Sequence, residues 1–428
     1  MPTGDPDSTG LVLYRNANLF TGVGDHACHA AALLVDGDRV VAVGNESSFP
    51  AELRSTADAV DLAGQYVVPG LIDSHQHLAT PPNRAFAEAQ LERDLFGGIT
   101  TVRDMADDLR SIAELSRAAW NFEIAAPDVS FAALFAGPSF YEDPRVIVAS
   151  RGYEPGAAPW MQAVTAETDL EEAVTLARGT GAAAVKIYAN LDRELVERIT
   201  TEVRRQGLQV WAHAAVFPAS PQDVVSAGVH AVSHARLLAY QGQEPIPDRY
   251  HDRAPVDGAR FTDGIPSPVR TVLEEMRDRG TVLDATLLLD WQDGSPSATF
   301  PVAVAITRCA RELGVRISAG TDAHAPPDDP FPALYKELEL LVEHAGFTAV
   351  EALVSATVGG AAALGEAELV GTLEPGKLAS FMITSMDPTA DVGALRSVTA
   401  TVKRGRYFDR RDFDPDREVA ARREDPDA

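Results

Sequence analysis

The chain has 428 residues, 45% of them hydrophobic, enough to bury one large core beside a smaller one, and this excludes wholesale disorder. Its 63 Asp and Glu against 37 Lys and Arg give a net charge of −26, with no basic stripe, which argues against nucleic acid or an anionic membrane as a partner. Two distant cysteines, Cys28 and Cys309, form no disulfide framework, the polar start MPTGDPDSTG does not read as a signal peptide, and no apolar stretch approaches the ~20 residues of a membrane span, so a soluble cytoplasmic protein is expected.

From about residue 10 to 66, short β-branched runs alternate with Gly, Asp and Asn turns, the pattern of small antiparallel strands joined by hairpins. The HACH run here, with His26, Cys28 and His29, reads as a surface turn rather than a metal cluster. After Gly70, apolar strands alternate with helical segments, which predicts βα units and a parallel sheet. Strands are predicted at 70–78, 99–105, 127–134, 182–189, 208–214, 231–235, 282–288 and 316–323, a number that closes a barrel. Helices are predicted at 84–96, 170–179, 192–206, 269–279, 301–313 and 334–345, with Gly207, Gly280, Gly314 and Gly346 where caps would end them.

Past Gly371 the short-strand rhythm returns in GTLEPGKLASFMITS and VTATVKRGRYF. Neither terminal part has enough strands for a core of its own, so the two should join. The expected fold is α/β: a (β/α)8 TIM barrel over 67–365, and a small β-sandwich built from 1–66 and 366–410. Residues 411–428, charged and poor in large apolar residues, are expected to be a mobile tail. Two long polar stretches, 135–160 and 237–268, each follow a strand and are candidate covers for a site at the C-terminal face.

The chain has only four lysines, Lys186, Lys336, Lys377 and Lys403, and writes Arg wherever a plain positive charge serves. Lys186 nevertheless sits inside the apolar strand AAAVKIYA, which is either an accident of composition, with the amine reaching the barrel rim or pairing with an acid, or a position that calls for an amine able to lose its proton when buried, as a guanidinium cannot. In GLIDSHQHL, His75 and His77 are two apart on a strand and point to one side, half of a metal site in form, though such a pair alone can equally be structural. His213 in QVWAHA, His234 in AVSHA and Asp322 in ISAGTDA end further predicted strands. Four histidines, a lysine and a carboxylate converging on one barrel face point to a metal centre.

The order HxH, Lys, His, His, Asp on eight strands, set in VVPGLIDSHQHL, GGITTVRDM and GTLEPGKLA, resembles the metal-dependent amidohydrolase superfamily, and the VKIY context is similar to its imidazolonepropionase-like and prolidase-like branch. The resemblance implies one metal at His75, His77 and Asp322, a second at His213 and His234, and Lys186 carboxylated by CO₂ (N6-carboxylysine) bridging both, together with a hydroxide. The metals implied are two divalent ions of zinc type. Asp322 would be the catalytic proton carrier.

The expected activity is hydrolysis of an amide C–N bond in a small molecule such as an N-acyl amino acid, dipeptide or cyclic amide. A decarboxylase or isomerase, a lactone or ester hydrolase and a silent scaffold are the alternatives, and the family's frequent symmetry admits a homo-oligomer. Arg103, Tyr188 and His324 are candidate substrate contacts. Their alternatives are a rim ion pair for Arg103 with Asp104, packing for Tyr188 and a bond to a ligand for His324. The chain departs from the branch at Ser233 and Ala235, in DATLL of strand seven, at Ser380 and in DPFPALY after strand eight.

Overall fold

In the computed structural model, which describes residues 10–292 and 294–423, eight parallel strands follow one another around a barrel. They are Leu71–Gln76, Ile99–Asp104, Asp128–Ala136, Ala184–Ile187, Gln209–His213, Ala231–Ser233, Val282–Asp284 and Ile317–Ser318, called strands one to eight below. Strand eight meets strand one through Ser74 N to Ala319 O and Asp322 N to His75 O, each 2.9 Å. These two bonds close the ring.

The strand period of two builds the barrel interior in layers. Ala132, Ala184, Trp211, Ala231 and Val282 form a buried apolar cluster with Met105. One step of two residues further along four of these strands stand Lys186, His213, Ser233 and Asp284, all buried. The polar layer is therefore set directly on an apolar floor, at the C-terminal ends of the strands.

Strands from both chain ends form a second, eight-stranded sheet. Phe381–Thr384 pairs antiparallel with Tyr66–Pro69, joining the terminal parts as expected. Tyr14 and Phe381 meet edge to face at 5.0 Å in a core with Leu33, Val67 and Val402. Of the expected surface turn only His26 lies in a bend; Cys28 and His29 open the strand Cys28–Asp36, and all three are exposed.

The helices Arg84–Phe96 and Leu170–Gly179 have the expected bounds, each with an Asn or Asp side chain accepting from the first turn. The amphipathic helix Leu109–Trp120 was absent from the expected set. Strand seven, expected to reach residue 288, ends at Asp284, because Thr286 takes a left-handed backbone (φ 50°) and leads into the 3-10 turn Leu287–Asp290. The strand-eight ladder is likewise cut to two residues, with Asp322 left-handed at φ 47°.

The expected mobile tail needs correction over its described part. Residues Asp416–Arg423 form a helix, and Arg417 pairs with Glu92 and Glu88 at 2.6 and 3.2 Å, so charge complementarity rather than apolar content fixes it to helix Arg84–Phe96. Residues 424–428, and 1–9 with most of the MPTGDPDSTG start, lie outside the described residues. Among the described residues, no helix is long and apolar enough to cross a membrane.

Candidate metal centre

Strand parity and three left-handed residues assemble the site. His75 is inside strand one and His77 just beyond it, so both rings face the barrel axis. His234 (φ 72°), Thr286 and Asp322 turn out of strands six, seven and eight in the left-handed region, a strain of roughly 1–3 kcal/mol each for residues other than glycine. Such strain persists where the surrounding contacts over-determine it, as they do here.

Asp322 Oδ1 stands 3.8 Å from His75 Nε2 and 3.6 Å from His77 Nε2, while its Oδ2 stands 3.8 Å from His234 Nδ1. Ligand atoms of His75, His77 and Asp322 all lie within 4.8 Å of one another. The His234 ring is 4.9 Å from His75 and 4.8 Å from His213, centre to centre. The buried Lys186 amine donates to Ser233 Oγ at 3.0 Å. All six residues line one cavity of about 210 Å³.

Electrostatics leave most of these groups ready to act as neutral donors. Burial pushes the imidazoles of His75, His213 and His234 down, and at His75 it outweighs the Asp322 and Asp284 carboxylates. Burial also lowers the Lys186 amine to about 7, assisted by the nearby Arg103 cation. His77 is the exception: burial works against its charge, but the Asp107 carboxylate at 2.9 Å wins and raises it to about 9. Asp107 itself falls to about 2, burial being overcome by His77.

The donors fit a divalent metal of zinc type. Imidazole nitrogens and a carboxylate are the ligands such an ion takes, and His213 Nδ1 is buried with no hydrogen-bond partner among the described residues. A buried orphan nitrogen facing other donors costs free energy unless a ligand satisfies it.

Of the candidate substrate contacts, Tyr188 lines the cavity, its ring 3.9 Å from that of His213. Arg103 does not reach it. Fully buried, Arg103 donates to Asp284 Oδ2 at 3.0 Å and to Ser74 O at 2.5 Å and stacks 4.7 Å from the Trp211 ring centre, a structural ion pair with Asp284 rather than with Asp104. His324 packs edge to face on Phe86 at 5.2 Å, outside the cavity lining.

Both long loops cover the site. The first supplies Phe140, Arg145 and Val146 to the lining, and the second brings the Tyr250 ring to 5.5 Å from His213. Asn190 ties them together: its Nδ2 donates to Ser139 Oγ at 3.0 Å and its Oδ1 accepts from Tyr250 N at 2.7 Å. Sequence reasoning missed Asn190, Asp107 and Arg145. An Asn just past an apolar strand signals a left-handed turn, which Asn190 makes (φ 59°), but not its two partners.

Residues 66–407 match the family described as Amidohydrolase family. The chain is 24% identical over 415 residues to the imidazolonepropionase of Aromatoleum aromaticum, covering 89% of this chain and 92% of that one. It is 27% identical over 398 residues to that of Streptomyces coelicolor, covering 88% and 92%. Among solved structures it is similar to a Xaa-Pro dipeptidase with bound methionine (TM-score 0.71, 20% identity, 93% of this chain and 100% of that one). It is similar also to the ochratoxinase of A. niger (TM-score 0.73, 21% identity, 94% and 96%). With a match over four-fifths of its length, the chain belongs to the amidohydrolase family.

Proposed function

We propose that this chain is a binuclear metal-dependent hydrolase that cleaves an amide C–N bond in a small molecule of the N-acyl amino acid, dipeptide or cyclic amide kind. The observation that carries the reading is the convergence of four histidines, Lys186 and Asp322 on one cavity at the strand ends. His75, His77 and Asp322 would hold one cation and His213 and His234 the other, with a carboxylated Lys186 between them. When bound, two divalent cations of zinc type activate water at neutral pH and polarise the scissile carbonyl.

The chain's own residues perform the rest. Lys186, lowered to about 7, offers a neutral amine that can add CO₂ and lose a proton, turning a buried cation into an anionic ligand. Asp322 lines the cavity, its Oδ1 3.8 and 3.6 Å from the Nε2 atoms of His75 and His77, and is placed to accept a proton from the attacking water and return it to the leaving nitrogen. Leu134, Phe140, Val146 and Met161 form an apolar wall that would seat the substrate's apolar part and exclude water. Arg145, held at 3.1 and 2.8 Å by Asp143, stands in the lining as a handle for a substrate carboxylate. Tyr188 would orient the substrate beside His213.

The test is a screen of zinc-loaded protein, produced with bicarbonate, against N-acyl amino acids, dipeptides, lactams, lactones and esters. Amine release from an amide is the expected result. Turnover of lactones and esters alone would overturn the amide assignment.

A further inference from the structure

Strand seven offers no ligand to the cavity, yet its two inward residues each grip a histidine from a different half of the site. Asp284 Oδ2 accepts from His75 Nδ1 at 2.7 Å. Its charge is balanced by Arg103 on the same oxygen at 3.0 Å, and all three side chains are buried. Two residues on, Thr286 Oγ1 lies 3.0 Å from His234 Nδ1. The Thr286 hydroxyl donates its one proton to Ala285 O at 2.8 Å. It can then only accept from His234, which puts the proton on Nδ1 and leaves the Nε2 lone pair free.

The left-handed turn that carries Thr286 is fixed from behind. Glu337, fully buried on helix Ala333–Glu343, accepts from Leu287 N at 3.0 Å and Leu288 N at 2.6 Å. Backbone bonds from His234 N to Asp284 O (2.9 Å) and Ala235 N to Ala285 O (3.2 Å) hold strand six in register alongside. The two grips are thus separate hydrogen bonds on one rigid strand end.

We propose that Asp284 and Thr286 are positioning residues, one for each cation site: Asp284 sets the tautomer and ring orientation of His75, and Thr286 those of His234. The inference rests on the two-cation reading above. A hydrogen bond to the far nitrogen of a ligating imidazole fixes which nitrogen is free and raises its basicity, and its loss costs about 10–100-fold in metal affinity.

Two measurements test it. In wild-type protein freed of metal, ¹⁵N-histidine NMR should find His75 and His234 protonated on Nδ1; an Nε2–H tautomer at either ring would overturn the assignment without any variant. In zinc-loaded crystals dialysed against a graded chelator, anomalous scattering should show Asp284→Asn losing the ion at His75 and His77 first, by about 10-fold or more in affinity, and Thr286→Val losing the ion at His213 and His234. Thr286→Ser, which keeps the hydroxyl, should restore the wild-type profile. Equal loss at both positions, no loss at either, or a Ser variant that behaves like Val would overturn the proposal while the two-cation reading stands. A wild-type protein that holds fewer than two ions would overturn both.

Discussion

A Cβ built on Gly320 would stand 2.4 Å from Asp284 Oδ1 and 2.8 Å from His75 Cβ. This glycine, two residues past strand eight, clears the space in which the strand-seven carboxylate reaches the strand-one histidine. Both collisions are with buried groups that have no room to retreat. Gly320→Ala should therefore keep the barrel's circular dichroism but displace the Asp284–His75 contact. Zinc retention should fall by about 10-fold or more, read by chelator competition. Unchanged retention would show that the contact tolerates a methyl group.

Asn190 holds both covering loops through one carboxamide. Asn190→Gly keeps the left-handed backbone accessible and removes the two bonds, so the expected effect is on the loops rather than on the barrel. Two lost partly buried hydrogen bonds weaken the closed cover by about 1–3 kcal/mol. Limited proteolysis should then cut within 135–160 or 237–268 well before the wild type is cut, and KM should rise more than kcat falls. Equal protection of both proteins would contradict this role.

Burial raises the Glu337 carboxyl to about 8, with the Asp284 and Asp73 charges adding to the effect. A folded-state pKa above the ordinary carboxylate value of 4.5 means that the folded protein binds the extra proton between the two values. Stability from this group is therefore greatest at low pH and is lost as pH rises from about 4.5 through about 8. Glu337→Gln removes that dependence. The Tm of the Gln variant minus that of the wild type should become steadily more positive between pH 5.5 and pH 8.5. A constant difference would show that the group does not titrate in this range.

Much of the site was legible because burial and charge conflict visibly in a sequence. Lys186 in AAAVKIYA and the histidines ending apolar strands announce themselves, since a strand of that composition has no structural use for them. Asp284 carries the same mark in TVLDATLLL, but read from the sequence it was only a departure from relatives in the pocket wall. Its meaning depends on His75, 209 residues away, and on Arg103, whose guanidinium turns inward to it instead of to the substrate. Strand seven was over-extended because Thr286 is left-handed, which its residue type does not dictate without tertiary partners. The docked helix Asp416–Arg423 escaped notice because ion pairs with Glu88 and Glu92, not apolar periodicity, attach it.

In the proposed site Lys186 acts as an anionic bridge between two cations. Metal analysis of protein produced with zinc and bicarbonate, on the wild type and on Lys186→Ala, tests it most directly. Two zinc ions per wild-type chain, about one or none in the variant, and an amidase rate at least ~100-fold lower in the variant are expected. One zinc per wild-type chain together with a fully active Lys186→Ala would contradict it.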